Sequence, residues 1–340
     1  MPDPKFLVVR LSSLGDIVHT FPAVATLRES FPNAEIVWLT HPRWKLLVES
    51  SALATQVWAT ETRSVSSLRG ILSRIRERKF SVAIDYQGLW KSAALPLFGV
   101  PRRIGFSSET VREYGVHMFY TDRVRCTQTH IADQNGELSL RGGARRGGAA
   151  FSLNVSQSDA TAVRYYLQGH GIEHYVALSP GGGWRSKCWP AERFGVLCKK
   201  LRDALGLRCI VNYGPGEEQL ASTIRDASGT ADPLLYNGDL GPLMALLRNA
   251  LCIIGGDTGP LHLAVALGTP AVALFGPTDP ARNGPYRVDD SASVVRRDIV
   301  LRSPRAVTSY KRGKQADPSM LEIEVDAVFE AVRRLVEARA

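Results

Sequence analysis

Short apolar runs of strand length alternate along this chain with longer stretches whose apolar residues recur at helical spacing. In the first half the runs Phe6–Leu11, Glu35–Leu39, Gln56–Trp58 and Ser81–Asp85 are largely apolar and β-branched. Runs of that kind read as strands covered on both faces. Helical spacing occupies the gaps, as over Ile17–Phe31 and Val65–Arg78. In the second half strands are expected at Tyr175–Ser179, Arg208–Tyr213, Leu234–Tyr236, Leu251–Ile254 and Ala271–Phe275. Helices are expected over Ala191–Leu205, Glu217–Ala227, Leu240–Ala250 and Leu261–Leu267. This alternation predicts an α/β protein with doubly wound parallel sheets.

The 340 residues suffice for two cores. We expect a domain over 1–155, a second over 156–318, and a final helix over 319–340. That last helix carries Leu321, Val325, Val328, Phe329, Val332 and Leu335 on one face, and it is expected to pack back across the domains toward the first. Between the halves, Arg141–Gly148 (RGGARRGG) holds four glycines and three arginines and reads as a flexible basic loop. Two such domains would face a central cleft, with ligands at the carboxyl ends of the strands.

Composition narrows the class. Hydrophobic residues make up 44% and charged residues 22%, as in globular proteins. No run reaches the roughly eighteen apolar residues of a membrane span. The residues ahead of the first strand do not read as a secretory leader, so a cytoplasmic location is expected. Cys126, Cys188, Cys198, Cys209 and Cys252 are scattered without metal spacing and read as idle thiols. Net charge is +9, and residues 1–150 carry +7 of it, from 20 basic and 13 acidic residues. That excess suits an anionic partner or a merely solvated basic surface. No aromatic residue interleaves with the arginines of 141–148, and no recognition motif is present, so nucleic acid is not expected as a partner.

The loops after strands carry the candidate chemistry. Leu251–Gly268 (LCIIGGDTGPLHLAVALG) ends a strand on glycines, and Pro260 opens a helix. Free N–H groups and the helix dipole at that end form an anion site suited to a diphosphate, and His262 lies in the first turn. A well-capped helix with a surface histidine is the plain alternative. Leu178–Pro190 (LSPGGGWRSKCWP) is a glycine-rich loop with Arg185 and Lys187, but it is neither a Walker loop nor G-x-G-x-x-G. Gly214–Glu218 (GPGEE) offers a carboxylate to ribose hydroxyls, or merely decorates a helix start. Asp85–Ala93 (DYQGLWKSA) places Asp85, Gln87, Lys91 and Ser92 after a strand, either toward an acceptor or in loop hydrogen bonds. Arg10–Thr20 (RLSSLGDIVHT) presents Asp16, which local sequence favours as a helix cap.

Taken together, SSLGDIVHTFPA, DYQGLWKSA, KCWP, YGPGEE and GGDTGPLHLAVALGTPAVALFGPTDP resemble the bacterial ADP-heptose:lipopolysaccharide heptosyltransferases, glycosyltransferase family 9. The DxQGLxKSA stretch is most similar to the branch that adds the first heptose to the Kdo region of the core. The resemblance implies a GT-B architecture, with ADP-heptose as co-substrate in the second domain and no cofactor. It implies donor-binding roles for Gly182, Gly183, Lys187, Glu217, Asp257, Thr258, Gly259 and His262. Threonines often stand at positions 182 and 183 in this family. It implies acceptor-side roles for Ser12, Ser13, Gly15, Asp85, Gln87 and Lys91, with Asp16 as catalytic base. A Kdo-lipid A acceptor and attachment to the anionic inner face of the inner membrane follow. The implied reaction is inverting and metal-independent, and the chain has no D-x-D string. Transfer to the second core heptose position, or a non-enzymatic module binding nucleotide or anionic glycan, are the competing readings.

Overall fold

The structure, a computed structural model, describes residues 4–62, 64–288, 298–310, 313 and 315–338. The chain divides between Asn154 and Val155 into two compact units. Each unit is built on its own six-stranded sheet, parallel throughout.

In the first unit the order along the chain is β1 (Lys5–Val9), α1 (Leu14–Val18), α2 (Phe21–Ser30), β2 (Glu35–Thr40), α3 (Lys45–Ser50) and β3 (Gln56–Ala59). It continues with α4 (Val65–Arg78), β4 (Val82–Asp85), α5 (Trp90–Ala93), β5 (Arg102–Phe106), β6 (Asp122–Val124) and α6 (Ile131–Arg141). The strands lie in the order β3-β2-β1-β4-β5-β6. The chain therefore winds outward from β1 to β3, then returns to β4 on the other side of β1. The junction of β1 and β4 is the switch point, where loops diverge and leave room for a ligand.

Three features depart from the hydrophobic pattern. The single helix expected over Ile17–Phe31 is two, because Pro22 has no N–H to give a continuing helix; the break at His19–Thr20 puts it in the first turn of α2. Strands β5 and β6 escaped the pattern because Arg102, Arg103, Asp122 and Arg123 interrupt it; Arg102 and Asp122 pair at 2.7 Å. The RGGARRGG segment is packed rather than free. Arg146 pairs with Glu29 of α2 at 2.9 Å, Arg145 N–H donates to Ser30, and a side chain on Gly136 would meet Gly147 O at 2.0 Å. Its glycines let the backbone lie directly against α6.

The second unit runs α7 (Gln157–Gly169), β7 (Tyr175–Ser179), α8 (Ala191–Leu205), β8 (Arg208–Asn212), α9 (Glu218–Ala227), β9 (Leu234–Tyr236) and α10 (Leu240–Asn249). Then come β10 (Ile253–Gly256), α11 (Gly259–Ala266), β11 (Ala271–Phe275), α12 (Pro280–Asn283), β12 (Ile299–Arg302), α13 (Pro318–Leu321) and α14 (Val325–Glu337). The order β12-β11-β10-β7-β8-β9 puts the switch point between β7 and β10. Strands β7, β10 and β11 are buried along their whole length. The final helix, expected to pack back across the domains, builds its apolar face into the core of the second unit. Val328, Phe329, Val332 and Leu335 of α14 belong to the same core as Leu197, Leu201, Val272 and Leu274. Its apolar face is thus satisfied by α8 and the sheet of its own unit. Trp189 and Arg193 fasten the turn before α14 by donating to Ile323 O at 2.9 and 2.6 Å.

Candidate active site

At the first switch point, the loops after β1 and β4 are stitched together. Gln87 Oε1 accepts from Leu11 N–H at 2.7 Å, and the Gln87 amide donates to Ser12 Oγ at 3.4 Å. Arg10, buried at the end of β1, donates through Nη1 to Tyr86 O and through Nη2 meets Asp16 Oδ1 at 2.7 Å. Asp16 is the third residue of α1, and Ser13 is the cap. Both the backbone N–H of Ser13, at 3.0 Å, and its hydroxyl, at 2.9 Å, donate to Asp16 Oδ2. Arg112 Nη1 stands 3.8 Å from the same oxygen. Burial pushes the Asp16 carboxyl up, but Arg10, the Ser13 N–H and Arg112 outweigh it and hold the group below the usual aspartate range. The side chain stays 28% exposed, so this ionised carboxylate can be reached.

Asp85 does not present itself to a ligand. It is buried, Oδ1 accepts from Gln87 N–H at 2.9 Å, and Oδ2 accepts from Ser92 Oγ at 2.9 Å and Tyr120 Oη at 2.7 Å. Burial raises its pKa, and these hydrogen bonds oppose the rise. The expected acceptor contact is therefore corrected: Asp85 shapes the loop that carries Gln87 and Lys91. Lys91 and Ser13 are exposed, Ser12 is half-buried, and Gly15 is buried in the first turn of α1. Sequence reasoning gave no role to Arg10 or Arg112. For Arg10 a signal was present, a charge inside the apolar run Phe6–Leu11.

At the second switch point, the loop after β7 meets the loop after β10. Lys187 Nζ lies 3.4 Å from Asp257 Oδ2 and 4.5 Å from the centre of the Trp184 ring. Asp257 Oδ1 lies 3.1 Å from His262 Nε2. One carboxylate thus orients a lysine and a histidine, and all three side chains are largely shielded from solvent. Ser179 and Thr258 hydroxyls join the two strand ends at 3.2 Å. The close approach depends on Gly256, where a Cβ would lie 2.7 Å from Lys187 O. Gly259 and Pro260 open α11, so its first-turn N–H groups and positive dipole end lie beside Asp257.

The third loop is a tight turn. Glu217 N–H donates to Gly214 O at 3.1 Å, with Pro215 and Gly216 between them, and Gly216 has φ +84°. That is the chemistry of a type II turn. It directs Glu217 back onto the glycine loop, where Oε2 accepts from Gly214 N–H at 2.7 Å. A Cβ on Gly181 would lie 2.0 Å from Glu217 Oε1. Sequence reading singled out Gly182 and Gly183 but not Gly181, although Gly181 is the one that lets the carboxylate in. Gly183 has open space around it, and Gly182 faces Cys188 Sγ and Lys187. Lys187, Glu217, Asp257, Thr258, Gly259 and His262 come from the loops after β7, β8 and β10, at and beside this switch point.

Residues 69–305 match the family described as glycosyltransferase family 9 (heptosyltransferase). The chain is 26% identical over 318 residues to lipopolysaccharide heptosyltransferase 1 of Escherichia coli K12, covering 88% of this chain and 94% of that protein. It is 22% identical over 342 residues to the lipopolysaccharide core heptosyltransferase OpsX of Haemophilus influenzae, covering 98% and 97%. Among solved structures it is similar to E. coli ADP-heptose LPS heptosyltransferase II, with TM-score 0.80, 21% identity, and 98% and 99% of the two chains covered. It is also similar to E. coli heptosyltransferase WaaC with ADP, with TM-score 0.74, 23% identity, and 97% and 99% covered. The matched family and the fold together give the conclusion: the chain is a glycosyltransferase of the GT-B fold and belongs to glycosyltransferase family 9, the heptosyltransferases.

Proposed function

We propose that this protein transfers heptose from ADP-heptose to the Kdo region of the lipopolysaccharide inner core, with inversion and without a metal, at the cytoplasmic face of the inner membrane. Lys187, Glu217, Asp257, Thr258, Gly259, His262 and the loop at Gly182 and Gly183 hold the donor. Glu217 takes the ribose hydroxyls. Lys187 and the first turn of α11 take the diphosphate. Ser12, Ser13, Gln87, Lys91 and Arg112 meet the acceptor.

In the reaction the acceptor oxygen forms a bond to the anomeric carbon from the face opposite ADP. The carbon–oxygen bond to ADP breaks, and its electron pair leaves with the diphosphate. Asp16 takes the hydroxyl proton as the new bond forms. By analogy with glycoside hydrolysis the transition state is oxocarbenium-like, with positive charge growing on the anomeric carbon and ring oxygen and negative charge on the departing diphosphate. Lys187 and the α11 N–H groups are already oriented to meet that charge, which is where fixed dipoles act best. They supply the positive charge that a metal supplies in other transferases.

The observation that carries this reading is Asp16: an ionised, reachable carboxylate at the switch point of a family 9 chain. The test is mass spectrometry of a truncated Kdo-lipid A acceptor incubated with the protein and ADP-heptose. A gain of one heptose supports the reading. Gain only on an acceptor that already carries one heptose moves the protein to the second position, and no gain on either removes the proposal.

A further inference from the structure

We infer that Arg10 is a positioning residue of the transfer reaction, holding Asp16 so that its Oδ1 is the atom that takes the acceptor's proton. This rests on the reading of Asp16 as the base. Arg10 is 3% exposed. Its backbone N–H donates to Leu39 O at 3.2 Å and its carbonyl accepts from Trp38 Nε1 at 3.4 Å, so the residue is tied to β2. Its guanidinium spans from Tyr86 O, beyond β4, to Asp16 Oδ1, at the start of α1. A guanidinium buried this deeply is costly unless it is paired. The pairing carboxylate is therefore fixed in place by the scaffold rather than by its own flexible side chain.

The two Asp16 oxygens are not equivalent. Oδ2 accepts from both the Ser13 N–H and the Ser13 hydroxyl, and Arg112 lies at 3.8 Å. Among the described residues, Oδ1 meets Arg10 alone. A carboxylate oxygen accepts two hydrogen bonds, so Oδ1 retains a lone pair. Arg10 thereby fixes the direction of that lone pair and keeps the group ionised. The charged groups acting here are Arg10, the residue after β1, and Arg112 from the segment after β5; Asp85 at the end of β4 acts on Arg10 in turn. Without Arg10, burial of Asp16 is opposed only by Ser13 and Arg112, so its pKa rises.

The test is steady-state kinetics of Arg10→Met and Arg10→Lys across acidic to neutral pH, with Asp16→Asn in parallel. Arg10→Met should lose on the order of tenfold or more in kcat. Its KM for ADP-heptose should be unchanged, and the acid limb of kcat should move to higher pH. A purely structural role would not move that limb. Arg10→Lys keeps the charge but lacks the fork that reaches both Tyr86 O and Asp16. It should keep the acid limb and show an intermediate kcat. Folded Arg10→Met with wild-type kcat or an unmoved limb overturns the inference. If that variant does not fold, Arg10→Lys at the full wild-type rate overturns it. Asp16→Asn at full turnover removes the base itself and Arg10's role with it. An inactive Asp16→Asn beside a fully active Arg10→Met removes Arg10 only.

Discussion

The two oxygens of Asp16 are engaged differently. Ser13 is the cap, and Asp16, three residues on, closes a reciprocal capping arrangement through Oδ2 while Oδ1 pairs with Arg10. Burial works against its charge, but Arg10 and the Ser13 N–H prevail, so its folded pKa is depressed. A depressed carboxylate stabilises the fold above its unfolded pKa, and that contribution is lost as pH falls through the folded value. The same shift keeps Asp16 ionised through the neutral range and weakens it as a proton acceptor. Turnover should therefore be flat from neutral pH down toward the ordinary aspartate value of about 3.9. A kcat profile with an acid limb near neutrality would assign control to another group. Asp16→Asn should cost roughly a hundredfold or more in transfer, the scale of general-base loss, with ADP affinity by calorimetry unchanged. Lys187 is held differently, by a largely shielded pair with Asp257. Lys187→Ala should weaken ADP binding by calorimetry. It should also destabilise the protein by about 1–3 kcal/mol in denaturant titration, because it removes one partner of a shielded carboxylate and leaves His262 to hold it.

At the level of elements, backbone geometry decides where side chains can go. The turn at Gly214–Glu217 sends the carboxylate onto the glycine loop, and Gly181 has no Cβ to stop it. Gly181→Ala should displace Glu217 and weaken ADP binding while leaving thermal stability nearly unchanged; equal ADP affinity in calorimetry would take Glu217 out of the donor site. The motif loops were legible because glycine and proline punctuate them. Gly181 stood out less than its neighbours because three glycines in a row look alike until one of them meets a carboxylate. The last helix illustrates the opposite case. Its apolar stripe was plain in the sequence, but a stripe does not name its partner. Val332 is buried in the core of the second unit, so Val332→Ala should cost about 1–3 kcal/mol in a denaturant titration, somewhat less than the larger truncations.

For the whole molecule, the charge asymmetry and the two sheets carry different information. The +7 carried by residues 1–150 suits an acidic lipid surface, and among the described residues no helix is long and apolar enough to cross a membrane. Sedimentation with anionic vesicles should therefore retain the protein at low salt and release it as salt screens the attraction. Equal recovery with neutral vesicles would assign the charge to solvation. The basic loop at 141–148 is not free to serve as a tether, since Arg146 is paired with Glu29 and its glycines line α6.

Strand and helix periods and the glycine and proline punctuation of the loops were determined by the sequence itself, because each is a local property of neighbouring residues. Tertiary structure alone decided that Arg10 reaches Asp16, that Asp85 is consumed by Tyr120 and Ser92, and that the final helix closes its own unit's core. Arg10 is set toward Asp16 by Tyr86 O, seventy-six residues on, Asp85 is closed off by Tyr120, thirty-five residues on, and the last helix meets strands far back in the chain; those partners are joined only when parallel strands are set side by side. A hydrogen-bonding or apolar group does not encode which of several distant partners will satisfy it; the order of strands in the sheet does.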